Sequence, residues 1–176
     1  MKKLVIYVSI LVFGISSYAQ NSWQVYNNSN GIRSITPAKT LKTNSSGNLD
    51  VYNNTYGIQN ATPSQTLQKN SNGDIDVYNT TYGIRNITPS QTLKSNVSGG
   101  YDVYNNSFGI RDVTPTQTIK TNTSGGFDVY NTTYGIREVT PTKIIKSNPN
   151  GGYNVFNTSF GSPEITPVKT IDPVEW

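Results

Sequence analysis

The chain has 176 residues, with 14 Lys and Arg against 10 Asp and Glu for a formal net charge of +4, and it contains neither cysteine nor histidine. The missing residue types exclude a disulfide framework, Ser–His or Cys–His catalysis and histidine-based metal sites. The small basic excess is not clustered, so nothing points to nucleic acid, which needs a concentrated cationic surface.

The chain opens Met1-Lys2-Lys3, continues with an apolar run from Leu4 to Ile15, and passes through Ser16-Ser17-Tyr18-Ala19 before Gln20. A basic start, an apolar segment short for a bilayer and a small terminal residue predict a secretory signal peptide over residues 1–19. Cleavage after Ala19 would remove Lys2 and Lys3 and leave residues 20–176 close to neutral. The Lys-Lys start and the Ala-Gln junction resemble those of exported bacterial proteins, which implies a secreted, periplasmic or cell-surface protein.

From Val25 onward one phrase returns every 26 residues, with copies beginning at Val25, Val51, Val77, Val103, Val129 and Val155. Self-similarity at a fixed period is the signature of a repeat architecture. Two features never change between copies: a glycine (Gly31, Gly57, Gly83, Gly109, Gly135, Gly161) and a Thr-Pro pair, Thr36-Pro37 through Thr166-Pro167.

Within a copy, apolar residues alternate with polar ones, as in Tyr101-Asp102-Val103-Tyr104-Asn105, and β-branched and aromatic residues dominate. That is the pattern of a half-buried strand, and no stretch keeps a helical period. A three-residue loop Ser107-Phe108-Gly109, with Gly109 left-handed, is expected to set Val103 opposite Val113 and Asn105 opposite Arg111. A third short strand is expected over Thr118–Thr121, followed by a turn at Asn122–Gly126.

Stacked one rung per copy, Arg85, Arg111 and Arg137 would form a column of like charge about 4.8 Å apart, an arrangement that a hairpin per copy avoids. The predicted fold class is therefore all-β, with tandem 26-residue repeats forming a solenoid-like row or spiral of β-hairpins after the signal peptide. Trp23 and Trp176 are expected to cap its two open ends.

The run aromatic-Asp-Val-Tyr-Asn, followed by an aromatic-Gly-Ile-Arg turn, resembles the Tyr-Asp repeats of Rhs-type and teneurin-type surface proteins. That resemblance implies a spiral of β-hairpins.

Candidate sites follow the repeat. Tyr52, Tyr78, Tyr104 and Tyr130, with Arg85, Arg111 and Arg137 and the neighbouring asparagines, suit a sugar-binding face, since sugar rings stack on aromatic faces beside hydrogen-bonding groups. Tyr56, Tyr82, Phe108 and Tyr134 join that reading. The same tyrosines are also ordinary strand residues with a hydroxyl at a wet boundary. Asp50, Asp76, Asp102 and Asp128 follow glycine-rich turns and raise the question of calcium, but one carboxylate per copy is far from the six to eight oxygens that ion takes. No pair of carboxylates breaks the repeat as an acid/base dyad would. The sequence thus predicts an exported, non-enzymatic structural or adhesive module without cofactor or metal, with a multivalent carbohydrate-binding array as the alternative. Expected partners are glycans or surface proteins, with self-association through end hairpins, and neither nucleic acid nor membrane insertion after cleavage.

Overall fold

A computed structural model describes residues 22–174. The predicted signal peptide and Trp176 lie outside the described residues. Copy 1 forms β1 (Ser22–Ser29), β2 (Ile32–Arg33) and β3 (Lys39–Thr43), and copy 2 forms β4 (Leu49–Thr55), β5 (Ile58–Gln59) and β6 (Gln65–Lys69). Copies 3 and 4 form β7 (Ile75–Thr81), β8 (Ile84–Arg85), β9 (Gln91–Ser95), β10 (Tyr101–Ser107), β11 (Ile110–Arg111) and β12 (Gln117–Thr121). Copies 5 and 6 complete the series with β13 (Phe127–Thr133), β14 (Ile136–Arg137), β15 (Lys143–Ser147), β16 (Tyr153–Ser159), β17 (Ser162–Pro163) and β18 (Lys169–Pro173). The protein is all-β and its strand pairings are antiparallel, hairpin by hairpin.

Each long strand pairs along one edge with the return strand of its own copy, as Val103 with Gln117, and along the other with the return strand of the copy before, as Val103 with Leu93. The array does not stay open. β18 pairs with β1, setting Val25 opposite Ile171 and Asn27 opposite Lys169. The expected solenoid-like row is therefore corrected to a closed twelve-stranded barrel, β1-β3-β4-β6-β7-β9-β10-β12-β13-β15-β16-β18 and back to β1. Closure satisfies the two edges that a row would leave unpaired.

The register explains how the ring closes. Val25 stands opposite Lys39, and Lys39 opposite Asn53, two residues beyond the equivalent Val51. This two-residue step recurs at each copy and tilts the strands by roughly 35°, within the range barrels adopt. Trp23 caps no open end: it is buried at the seam, opposite Pro173.

Strand alternation sorts the side chains. Val25, Val51, Val77, Val103, Val129 and Val155 on the long strands, with Leu41, Leu67, Leu93, Ile119, Ile145 and Ile171 on the return strands, fill the interior and are essentially inaccessible. Burial of such a side chain contributes about 1.5–3 kcal/mol, and this apolar band holds a chain without disulfides together. The opposite parity, Asp102, Tyr104, Thr118 and Lys120, faces outward. Membrane-spanning barrels carry the reverse pattern, apolar outside.

The hairpin differs from expectation. The turn has two residues, Phe108 and Gly109, both with positive φ (52° and 80°), the form whose twist matches that of the strands. Ser107 faces Ile110, and Asn106 rather than Asn105 faces Arg111. Val113 does not meet Val103: pairing resumes only at Gln117, and Val113-Thr114-Pro115 bulges out, leaving Val113 exposed. Pro115 offers no N–H and cannot extend the ladder, so the chain leaves the sheet there and returns where Thr116 N donates to Val103 O at 2.8 Å. The third strand and the turn after it form where expected, at Gln117–Thr121 and around Asn122.

Candidate functional site at the hairpin end of the barrel

Because every long strand is antiparallel to both neighbours, all six long strands run the same way and their hairpins emerge at one end. The tips carry Asn30, Tyr56, Tyr82, Phe108, Tyr134 and Phe160, all with φ between 49° and 52°. For a bulky aromatic this left-handed conformation is unfavourable. The five aromatic side chains are nevertheless fully exposed, as are Ile35, Ile87, Val113, Val139 and Ile165 behind them.

The two invariant features of the repeat meet at these tips. A Cβ placed on Gly57 would lie 2.8 Å from Thr36 Cγ2, one on Gly109 2.9 Å from Thr88 Cγ2, and one on Gly31 2.8 Å from Thr166 Cγ2. Each turn glycine thus rests on the Thr-Pro threonine of the preceding copy, and the sixth copy supports the first. Glycine is needed there both for its positive φ and for the close approach. The crown of hairpins is interlocked around the ring and does not consist of independent loops.

Inside the crown, the barrel mouth carries a polar girdle one layer above the apolar band. Lys39 Nζ donates to Asn53 Oδ1, Gln65 Nε2 to Asn79 Oδ1 at 2.8 Å, and Gln91 Nε2 to Asn105 Oδ1 at 3.0 Å. Gln117 with Asn131, Lys143 with Asn157 and Lys169 with Asn27 continue the pattern around the ring. A cavity of about 580 Å³ opens in this girdle across copies 1 to 4. Burial lowers the pKa of the Lys39 ammonium from its ordinary value, since desolvation disfavours the charged form.

The candidate residues read from the sequence lie elsewhere, on the outer wall. Arg85 stacks over the Tyr78 ring at 4.4 Å, Arg111 over Tyr104 at 4.9 Å and Arg137 over Tyr130 at 4.8 Å, as does Arg33 over Tyr26 at 4.2 Å. Tyr52 lacks such a cover because Gln59 stands at the arginine position; burial and then the nearby Asp50 charge raise its phenol pKa. The structure thus joins Tyr26, Tyr78, Tyr104 and Tyr130 to the Arg of their own copies, and one face of each of these rings is occupied by a guanidinium, a contact of about 0.5–1 kcal/mol. In copy 6 Pro163 replaces the arginine, and Lys146 lies 5.5 Å from the Phe156 ring.

The aspartates are held in a bracket. Asp76 accepts from Thr92 Oγ1 at 2.8 Å and from Asn70 Nδ2 at 3.2 Å, while Asn70 Oδ1 accepts from the backbone N–H groups of Asn72 and Asp74. The same arrangement recurs at Asp50 and Asp102, while Asp128 keeps its turn asparagine, Asn122, but faces Ile144 where the others face a threonine. Among the described residues no group of three or more acidic side chains could hold a metal ion.

Sequence reasoning missed the girdle and the glycine–threonine interlock. The girdle left a signal in the strand parity, because Asn105 lies two residues past Val103 on the same face. The interlock left only the invariance of its glycine and threonine, which does not say that the two meet across copies. Compared with models of known families, with curated proteins and with solved structures, the chain matches none.

Proposed function

We propose that this chain is an exported, non-enzymatic adhesive module that meets its target with the hairpin crown. The observation that carries the reading is the ring of tips: five exposed aromatics in a strained left-handed backbone, each locked against the neighbouring copy. Strain and exposed apolar surface both cost stability, and both are typical of surfaces kept for contact. A repeated tip also multiplies weak contacts into avidity when the target is itself repetitive. A carbohydrate target is the second reading, favoured by the exposed tip rings beside a mouth rich in amides and hydroxyls.

The test exploits the chain's own first copy, whose tip carries Asn30 at the same φ. In adsorption to glycan-coated and cell-derived surfaces, the wild type is expected to be retained. The variant with Tyr56, Tyr82, Phe108, Tyr134 and Phe160 all changed to Asn is expected to lose most of that retention while staying folded. Equal retention of the two proteins would remove the crown from the account.

A further inference from the structure

The mouth cavity is distinct from the tips, and its lining is chemically unusual. Gln65, Asn79, Gln91 and Asn105 supply primary amides, each of which can both donate and accept. Lys39 stands at one side, and among the described residues no carboxylate and no aromatic ring lines the cavity. Two of its lining residues, Gln65 and Thr80, each hold a buried polar atom without a partner, as do Asn28, Asn106 and Thr132 outside it. Buried polar atoms are normally satisfied, and leaving one unmade costs about 1–3 kcal/mol.

The girdle also varies around the ring in one respect. At the position opposite the girdle asparagine, copies 2, 3 and 4 carry Gln65, Gln91 and Gln117, whereas copies 5, 6 and 1 carry Lys143, Lys169 and Lys39. The six positions are structurally equivalent, so the difference is one of charge and not of fold. A neutral arc and a cationic arc share one mouth, and the cavity spans the boundary between them at Lys39.

We infer that the barrel mouth binds an acidic saccharide, with ring hydroxyls on the Gln65, Asn79, Gln91 and Asn105 amides and the carboxylate at Lys39. Hydroxyls match the amides because each side can donate and accept. A carboxylate matches Lys39, whose hydrogen-bond partner Asn53 is neutral. A free phosphate would use the ammonium but leave the amide arc idle. This inference rests on the carbohydrate reading and places the selective subsite in the mouth, apart from the tips.

The experiment is calorimetric titration of the full chain with oligogalacturonate and with the neutral galactose oligomer of equal length. The acidic oligomer is expected to bind at least tenfold more tightly. Lys39→Gln introduces the residue that three other copies already carry, so the fold is preserved; it is expected to erase that preference. Gln65→Leu with Gln91→Leu is expected to lose both ligands, with circular dichroism confirming the folded barrel. Absence of saccharide binding by the wild type, or an undiminished acid preference in Lys39→Gln, would overturn the inference. Binding lost only in the tip-asparagine variant would also overturn it, while leaving the crown reading intact.

Discussion

At the scale of single residues, the tips trade stability for exposure. Replacing an exposed aromatic at φ near +50° by asparagine, which tolerates that region, is expected to stabilise the chain by about 0.5–1 kcal/mol per site, measurable as a rise in Tm for Tyr82→Asn. The turn glycines separate two effects that usually arrive together. Gly47 and Gly57 both have positive φ, 76° and 81°, but only Gly57 has a neighbour, Thr36, where a Cβ would go. Gly47→Ala should therefore cost about 1 kcal/mol for backbone strain, and Gly57→Ala clearly more. Adding Thr36→Ser, which removes the methyl at 2.8 Å but leaves Cβ at 3.0 Å, should recover part of the excess and none of the strain, as a double-mutant cycle would record.

Lys39 gives a pH dependence with a definite sign. Its folded-state pKa lies below the ordinary lysine value of 10.5, so the folded chain binds this proton less readily than the unfolded one. Stability is therefore reduced at neutral pH and recovers as pH rises from the lowered pKa toward 10.5. Lys39→Gln should accordingly be more stable than the wild type at pH 7, with the gap closing in that alkaline window; chemical denaturation across pH measures it.

At the scale of elements, strand and hairpin were legible because alternation such as Tyr101-Asp102-Val103-Tyr104-Asn105 has one consistent reading. The turn was not. A left-handed glycine fits both a three-residue loop and a two-residue turn, and only the second demands positive φ from the bulky Phe108 as well, which propensity argues against. The resemblance to hairpin repeats pointed to the right local motif and the wrong global arrangement. The Asn-x-x-Gly turn carries more than its local role, because its asparagine also orients an aspartate on the following strand. Asn70→Ala should leave two backbone donors and Asp76 short of partners, costing about 1–3 kcal/mol in denaturant unfolding.

At the scale of the whole molecule, closure was the feature least available to sequence reasoning. It depends on a two-residue stagger summed over six copies and on β18 matching β1 across the longest separation in the chain. Those are properties of the array, and no single copy displays them. The candidate site shares that character: Tyr104 and Arg111 stand out within one copy but lie on the outer wall, whereas the girdle and the crown exist only once the ring is complete.

The most direct measurement of the ring is the distance between spin labels at Asn30→Cys and Ile165→Cys, two exposed positions in a chain with no native cysteine. Because Gly31 leans on Thr166 across the seam, the closed barrel puts the labels at the short limit of the method. A separation of about 50 Å, the width of an open row of twelve strands at ~4.8 Å each, would contradict it.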